Sequence, residues 1–299
     1  MHDVVTRVVL DVDTGIDDAL ALLYAVAHPG LDLGAVTCVS GNVSLRQVVR
    51  NTCFVDLAQA TAVPVGPGAN ATLLGQGPRL GHRHGANGLG DLPVRASGRE
   101  PQPDTAVELL SDRLRHAEQP VTLLALAPQT NLAMLVRDHL EQIAGTVKQL
   151  IFVGGRLAKV DPAKPTEFNV GHDPEAAAIV LGAARLPITM YGLEVFNQVV
   201  VSEAATVRLA QSDQPAVRLV GELLRVRPGR LIGDAGALVM LTNPELFTVP
   251  WATVRIGLHG AERGQTLIDP AAPNIHVMTT VDAAQAAQRF VDVILDCEE

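Results

Sequence analysis

Short apolar runs rich in β-branched residues alternate with longer amphipathic stretches along the first two-thirds of this 299-residue chain. Residues 8–10 form the first apolar run, and residues 19–27 have the periodicity of a helix that Pro29 and Gly30 would end. Such alternation is typical of βαβ units, whose parallel strands are buried on both faces and therefore look continuously apolar. The pattern predicts an α/β fold built around a mainly parallel sheet.

The same pattern continues along the chain and predicts a Rossmann-like sheet flanked by helices, with residues 1–299 forming a single domain. The loops at 67–103 and 154–173 are long enough to be candidate functional segments. After about residue 245 the pattern predicts a few late antiparallel strands and a final helix. The predicted strands are 33–39, 121–126, 149–153, 188–191, 252–258, 265–268 and 275–278. The predicted helices are 45–60, 105–116, 131–136, 174–184 and 282–296.

Charge and composition argue against several classes of function. The 23 basic and 32 acidic side chains give a formal net charge of −9, whereas a nucleic-acid partner requires a basic surface. No apolar run reaches the roughly 20 residues of a membrane helix, and the first residues lack a signal peptide's apolar stretch. We therefore expect a cytoplasmic protein without a membrane or nucleic-acid partner. Cys38, Cys53 and Cys297 have neither the number nor the spacing of a disulfide framework or a zinc site.

Four carboxylates, Asp11, Asp13, Asp17 and Asp18, lie within eight residues directly after the first predicted strand. Open α/β sheets place their ligands at this end of the strands. At about 5 Å and an effective dielectric constant of about 20, each pair of like charges would repel by roughly 3 kcal/mol. A helix N-terminus accounts for Asp17 or Asp18 as a capping residue. Asp11 and Asp13 need another explanation, and a divalent cation with all-oxygen ligands, calcium or magnesium, supplies one.

The run from Asp11 to Asp18 resembles the Asp-x-Asp-Pro-Gly-x-Asp-Asp signature of the inosine-uridine-preferring nucleoside hydrolases. It differs at Thr14, where the family usually has proline. Further landmarks follow in the family's order, which makes the resemblance specific over residues 8–190. They are 39–42 (Val-Ser-Gly-Asn), 84–90 (His-Gly-Ala-Asn-Gly-Leu-Gly), 127–133 (Ala-Pro-Gln-Thr-Asn-Leu-Ala), 153–155 (Val-Gly-Gly), 167–170 (Glu-Phe-Asn-Val), 173–177 (Asp-Pro-Glu-Ala-Ala) and, more weakly, 233–235 (Gly-Asp-Ala).

The resemblance implies hydrolysis of the N-glycosidic bond of ribonucleosides to ribose and free base. It also implies a calcium ion held by Asp13, Asp18, Asp234 and the backbone carbonyl of Leu126, with water and the ribose 2′- and 3′-hydroxyls completing the ligands. Asp13 would be the general base that takes a proton from the metal-bound water. Asp11 would order the carboxylate cluster from behind the metal ligands.

The resemblance also assigns the sugar contacts, at Asp17, Asn42, Glu167 and Asn169. Carboxylates there would accept hydrogen bonds from hydroxyls as positive charge builds on the sugar. Taken alone, Asn42 also fits an ordinary turn residue, and Glu167 fits loop surface. The candidates for the base, the 5′-hydroxyl or the leaving-group side are His84, His82, Asp161 and Phe168.

The leaving-group position departs from the family pattern. The best-studied branch of the family has a histidine directly before the last metal-binding aspartate, whereas this chain has Gly233. His82 or His84 would have to replace that proton donor, or an arginine such as Arg230 would stabilise the departing base. Only 3% of the residues are aromatic, so few side chains are candidates for stacking on a nucleobase. The sequence therefore does not predict which base is preferred. By resemblance we expect a homodimer or homotetramer.

Two other functions fit parts of the sequence. Asp11 and Asp13 also resemble the nucleophile motif of haloacid-dehalogenase-type phosphatases, in which the first aspartate is phosphorylated and magnesium assists. This interpretation leaves Asp17 and Asp18 unexplained, and the strand after Lys148 ends without the acidic residue that such enzymes need. A non-catalytic nucleoside- or sugar-binding relative that kept the metal site is the second alternative.

Overall fold

The computed structural model describes residues 5–58, 63–77, 80–81, 83–94, 98–157, 166–268 and 275–296. The strands in these ranges are β1 (Thr6–Val12), β2 (Leu31–Cys38), β3 (Val65–Pro67), β4 (Val121–Ala125), β5 (Val147–Val153), β6 (Ile188–Tyr191), β7 (Phe247–Thr248), β8 (Trp251–Ala252), β9 (Val254–Ile256), β10 (Thr266–Ile268), β11 (Ile275–Val277) and β12 (Thr280–Val281). The helices are α1 (Ile16–Ala27), α2 (Leu45–Ala58), α3 (Ala106–Arg115), α4 (Thr130–Ile143), α5 (Phe168–His172), α6 (Pro174–Leu181), α7 (Leu193–Phe196), α8 (Glu203–Ala210), α9 (Pro215–Val226), α10 (Ala235–Thr242) and α11 (Ala283–Leu295).

An eight-stranded sheet forms the centre of the protein, with the strand order β3-β2-β1-β4-β5-β6-β11-β8. All neighbouring pairs from β3 to β11 are parallel, and β8 is an antiparallel edge strand. β9 with β10 and β7 with β12 form two separate antiparallel pairs. The predicted α/β fold with late antiparallel strands is confirmed. The strand predicted at 275–278 corresponds to β11 and is parallel to β6, not antiparallel. It joins the main sheet because the chain returns there after the β9–β10 pair.

Helices cover both faces of the sheet because its strands are apolar on both sides. Along β1, Val8 and Leu10 belong to one hydrophobic core and Val9 to the other. The first core packs α1, α9, α10 and α11 against one face, and the second packs α3, α4 and α6 against the opposite face. The rings of Tyr24 and Phe290 stack with centroids 5.7 Å apart, which joins α1 to α11.

Several element boundaries differ from the predicted ones. The helix predicted at 131–136 continues as α4 to Ile143, because Ile143 is buried beyond an exposed charged segment. The helix predicted at 174–184 ends at Leu181, where Gly182 caps it. The pattern did not predict the helices α7 to α10 between residues 192 and 245. None of the helices in the described part of the chain is long and apolar enough to cross a membrane.

Parallel pairing brings the carboxyl ends of β1, β2, β4 and β5 to one edge of the sheet. In this register Asp11 lies level with Thr37 on β2 and Ala125 on β4. The turn from β1 into α1 therefore places the acidic run at this edge of the sheet. The family motifs that follow β2, β4 and β5 lie at the same edge. The connection into α10 reaches the same place from the last third of the chain, since α10 packs on α1.

Candidate functional site

Buried carboxylates from two distant parts of the chain meet at this edge. Asp13, Asp17 and Asp18 come from the β1–α1 turn, and Asp234 directly precedes α10. Each side chain is almost fully buried, and carboxylate oxygens of Asp17, Asp18 and Asp234 lie within 4.8 Å of one another. Backbone N–H groups of the turn hold Asp18, because Gly15 donates to it at 2.9 Å and Asp13 at 3.3 Å. These distances permit a single cation to be shared among several carboxylates.

Asn42, which follows β2, fixes the carboxylate of Asp13. The backbone N–H of Asn42 donates to Asp13 Oδ2 at 2.6 Å, and Asn42 Nδ2 donates to Asp13 Oδ1 at 3.1 Å. Asn42 Nδ2 also lies 3.4 Å from Asp18 Oδ2. The sequence-predicted neighbours Asp13, Asp18 and Asn42 are therefore brought together. Gly41 allows this approach, because a Cβ there would lie 2.1 Å from Asp13 Oδ2.

Asp11 lies behind the cluster and is held by neighbouring strands. Thr37 Oγ1 and Asn131 Nδ2 donate to Asp11 Oδ1 at 2.6 Å and 2.8 Å. Burial raises the pKa of Asp11 to about 7, although these two hydrogen bonds oppose the shift. Asp11 is 2% exposed, and these hydrogen bonds hold its carboxylate in place.

The electrostatics of the cluster favour either protons or a cation. Burial, followed by repulsion from Asp18, raises the pKa of Asp13 well above its ordinary value. Burial and repulsion from the other three carboxylates do the same to Asp234. Burial, followed by repulsion from Asp17, raises the pKa of Asp18 to about 7. The residues fit a calcium or magnesium ion, since only oxygen ligands converge here and a divalent charge would offset this repulsion.

Asp17 is the exception in the cluster, because it has a cationic partner. Arg227 Nη2 donates to Asp17 Oδ2 at 2.7 Å, and Arg227 is itself 9% exposed. Burial alone would raise the pKa of Asp17, but Arg227 and then His84 lower it below its ordinary value. Asp17 Oδ1 is buried and lies 3.4 Å from His84 Nδ1, but it accepts no hydrogen bond from the described residues. Sequence reasoning missed Arg227, which lies 210 positions from Asp17 in the chain.

His84 packs beside this ion pair and contacts both of its members. The backbone N–H of Ile16 donates to His84 Nδ1 at 3.0 Å, and the same nitrogen lies 3.4 Å from Asp17 Oδ1. Nε2 lies 3.4 Å from Arg227 Nη1. Burial and the Arg227 charge lower the pKa of His84, while Asp17 opposes the shift. The lowered pKa favours the neutral ring, which has one N–H group to donate.

The connection from α9 to Asp234 explains the glycine that replaces the family's histidine. Gly233 has φ +54°, and a Cβ at this position would lie 2.6 Å from Asp17 Cβ. No side chain fits there without displacing Asp17. Arg230, the arginine predicted from sequence, instead donates from Nε to the Val201 carbonyl at 3.0 Å. The guanidinium that reaches the cluster is that of Arg227.

The carbonyl of Leu126 and the side chain of Asn169 meet at the ends of β4 and β5. Asn169 Nδ2 donates to the carbonyls of Leu126 at 2.9 Å and Val153 at 3.1 Å. The carboxylate of Glu167 caps α5, since it accepts hydrogen bonds from the N–H groups of Asn169 and Val170. It also accepts one from Gly155 at 2.9 Å. These contacts show that Glu167 fixes the start of α5, the helix that carries Asn169.

The remaining sequence candidates lie at the mouth of the site or outside the described residues. The Phe168 ring is 38% exposed and lies edge-on to His172, with centroids 5.6 Å apart. A Cβ on Gly81 would lie 3.5 Å from the Phe168 ring, so the 80–81 segment borders it. His82 and Asp161 lie outside the described residues.

Thr14, which replaces the family's usual proline, is held by polar contacts. Its hydroxyl lies 2.6 Å from that of Thr52 on α2, and Asn51 Nδ2 donates to the Thr14 carbonyl at 3.0 Å. The substitution therefore leaves the acidic turn anchored to the neighbouring helix.

Comparison with known proteins identifies the family. The family model for inosine-uridine preferring nucleoside hydrolases matches residues 8–288. The pyrimidine-specific ribonucleoside hydrolase RihA of Escherichia coli strain SMS-3-5 is 32% identical over 307 residues, which cover 97% of each chain.

Solved structures agree with this assignment. A purine-preferring ribonucleoside hydrolase from Gardnerella vaginalis superimposes with a TM-score of 0.87 at 25% identity, covering 97% of this chain and 98% of that one. The plant nucleoside hydrolase PpNRh1 superimposes with a TM-score of 0.83 at 26% identity, covering 97% and 99%. The chain therefore belongs to the inosine-uridine preferring nucleoside hydrolase family and is a hydrolase that acts on the N-glycosidic bonds of ribonucleosides.

Proposed function

We propose that this hydrolase depends on calcium and uses Asp13 as its general base. The observation that carries the proposal is the convergence of Asp13, Asp17, Asp18 and Asp234, all buried, at the carboxyl edge of the sheet. Such a concentration of carboxylates is unfavourable unless protons or a cation compensate for it. The four carboxylates are part of one site within one functional domain, which we take to be residues 1–299.

The residues that would hold calcium are Asp13, Asp18, Asp234 and the carbonyl of Leu126. Calcium accepts six to eight oxygen ligands in flexible geometry, so sugar hydroxyls and water can complete this set. When bound, the ion would offset the repulsion among the carboxylates and polarise a nearby water molecule. Asn169 would hold the Leu126 carbonyl in place through its 2.9 Å hydrogen bond, which leaves the second lone pair of that oxygen available.

Asp13 is suited to accept a proton because its orientation is fixed. Both of its oxygens receive hydrogen bonds from Asn42, so the carboxylate cannot rotate away from the site. A general base must stay within hydrogen-bond reach of the proton that it takes, and such bases contribute about 10²- to 10⁴-fold in rate. Asp11 supports this arrangement from behind through Thr37 and Asn131.

The ribose would bind against Asp17, Asn42, Asn169 and the loop shaped by Glu167. Asp17 Oδ1 is the strongest candidate acceptor for a sugar hydroxyl, because it is buried and has no donor among the described residues. A carboxylate that hydrogen-bonds the sugar more strongly as positive charge develops stabilises the transition state more than the ground state. This is differential binding of the kind that accelerates a chemical step.

The departing base would leave past His84, with Phe168 as a neighbouring exposed ring. The N–H group of neutral His84 can donate a hydrogen bond to a base nitrogen or oxygen, and the positive charge of Arg227 lies beside the ring. His82 and Asp161 stay candidates for the base or the 5′-hydroxyl. Since one relative is pyrimidine-specific and another purine-preferring, an assay of this enzyme needs nucleosides of both classes of base. We also propose a cytoplasmic enzyme of nucleoside salvage that forms a homodimer or homotetramer, as the family resemblance implies.

A ribose-release assay tests the proposal. Purified protein stripped of metal is incubated with uridine, cytidine and inosine, with calcium, with magnesium or with a chelator. We expect ribose from at least one nucleoside with calcium, a large loss with chelator, and a large loss in Asp13→Asn. Full activity in excess chelator would refute the calcium requirement. Calcium-dependent nucleoside binding without ribose would instead identify a non-catalytic relative.

A further inference from the structure

The Asp17 carboxylate lies close enough to Asp18 and Asp234 to become a cation ligand. Oxygens of these three carboxylates lie within 4.8 Å of one another, so they alone form a cage of suitable size. The proposed ligand set uses Asp13 in place of Asp17. Geometry thus permits two carboxylate sets for one cation, and something must select between them.

Arg227 distinguishes Asp17 from the other carboxylates. Its guanidinium forms an ion pair with Asp17 Oδ2 at 2.7 Å, and within the described part of the chain it forms none with Asp13, Asp18 or Asp234. The pair is buried, since Arg227 and Asp17 are both less than one-tenth exposed. A carboxylate whose charge is already neutralised at short range is a poorer ligand for a cation than an unpaired one.

The surrounding backbone keeps this ion pair in one geometry. Arg227 is the C-cap residue of α9, and its backbone N–H donates to the Leu223 carbonyl at 3.0 Å. The turn that follows contains two left-handed residues, Gly229 at φ +71° and Arg230 at φ +54°. Arg230 N–H donates back to the Arg227 carbonyl at 3.0 Å. A non-glycine residue held at positive φ is uncommon and indicates that the surrounding structure determines the turn.

Gly233 restrains Asp17 from the opposite side. A Cβ on Gly233 would lie 2.6 Å from Asp17 Cβ and 2.7 Å from Asp17 Oδ2, so the backbone itself packs against that side chain. Asp17 is therefore confined between the Arg227 guanidinium and the backbone before Asp234. Its Oδ1, which accepts no hydrogen bond from the described residues, is the oxygen left for a ligand.

We propose that Arg227 is a positioning residue that withholds Asp17 from the cation and reserves it as a hydrogen-bond acceptor for the ribose hydroxyls. This inference rests on the proposed function, because it assumes a calcium ion among Asp13, Asp18 and Asp234. It predicts an effect that ordinary damage to a binding site would not produce. Loss of Arg227 should make calcium bind more tightly while the sugar binds less well.

Calorimetric titration of metal-free protein with calcium tests the inference. We expect the Kd for calcium to fall about tenfold in Arg227→Met, because a fourth carboxylate becomes available to the ion. The KM for the best ribonucleoside should rise in the same variant. Arg227→Lys keeps the charge and should restore the calcium affinity of the unaltered protein. Arg225→Met is the matched control, because Arg225 is an exposed arginine at the end of the same helix.

A double variant provides a second test if Arg227→Met does not fold. Asp17→Asn combined with Arg227→Met removes both members of the buried pair, a change that proteins often tolerate better than loss of one. Its calcium affinity should equal that of the unaltered protein, since no ligand is lost. A large loss of affinity there, or unchanged or weaker calcium binding in folded Arg227→Met, would overturn the inference. Failure of the unaltered protein to bind calcium and release ribose would instead overturn the proposed function.

Discussion

Asn42 holds both oxygens of Asp13, one with its backbone N–H at 2.6 Å and the other with its side-chain Nδ2 at 3.1 Å. Two donors from one residue fix both the position and the rotation of the carboxylate. The hydrogen bond from the backbone N–H also opposes the rise that burial causes in the Asp13 pKa. Asn42 thereby keeps Asp13 oriented and easier to ionise.

The relationship predicts graded losses of turnover. Asp13→Asn should lower kcat by about 10²- to 10⁴-fold, the contribution typical of a general base. Asn42→Ala should cost about 10- to 100-fold, because the base remains but its orientation is lost. Both are measured by ribose release at saturating calcium, with calcium affinity measured in parallel. Asn197→Ala, an exposed asparagine outside the cluster, is the control. Equal kcat values for Asn42→Ala and the unaltered protein would contradict the orienting role.

The raised pKa values predict that metal-free protein loses stability as pH rises. Asp18, with a pKa of about 7 in the folded protein against 3.8 ordinarily, retains a proton that the unfolded chain releases. Its contribution is therefore fully present below about pH 4 and is lost as pH rises through about 7. The lowered pKa of Asp17 gives a contribution of the opposite sign, which is constant above about pH 5.

Urea unfolding in chelator at about pH 5 and about pH 8 measures this effect. The free energy of unfolding should decrease from the lower to the higher pH in both proteins. The decrease should be smaller in Asp18→Asn than in the unaltered protein, since asparagine does not titrate. Both proteins share His84, whose lowered pKa acts in the opposite direction, so the comparison removes its contribution. The proposed calcium site predicts that added calcium restores stability at the higher pH, where the cluster is ionised. Identical pH slopes in the two proteins would contradict the assignment.

Gly233→Ala should destabilise the protein and disturb the sugar side of the site. The added Cβ meets Asp17 at 2.6 Å, and the backbone has φ +54°, so we expect a loss of about 1–3 kcal/mol in the free energy of unfolding. The KM for the nucleoside should rise as well, because Asp17 must move. Gly145→Ala, where a Cβ would meet nothing within 4 Å, is the matched control. A Gly233→Ala protein as stable and active as the unaltered one would show that Asp17 is free to relax.

His84→Gln should slow hydrolysis most for substrates whose leaving group departs poorly without a hydrogen-bond donor. We expect a loss of about 10²-fold in kcat for uridine or inosine, whose bases depart poorly without a hydrogen-bond donor. The loss should be much smaller for 4-nitrophenyl riboside, because nitrophenolate departs as a stable anion. The control is His116→Gln, an exposed histidine at the end of α3. Equal losses for both substrates would place His84 in sugar binding or folding instead.

Local patterns predicted the strands well where they are buried on both faces. The strand predicted at 188–191 has the bounds of β6, and the acidic run lies where the end of β1 was expected. The pairing of Arg227 with Asp17 was not predictable in this way, because it joins positions 210 apart. Sequence reasoning chose Arg230, three residues away. The left-handed turn at Gly229 and Arg230 decides which arginine reaches the carboxylates, and φ values are not visible in residue periodicity.

The origin of Asp234 in the last third of the chain has a consequence for folding. Three carboxylates of the cluster are available as soon as β1 and α1 form, whereas the fourth arrives only when α10 docks on α1. A partly folded chain in which α10 has not docked therefore lacks one of the proposed ligands. A cation held by Asp13, Asp18 and Asp234 would stabilise only those states of the chain in which residues from its first and last thirds have come together.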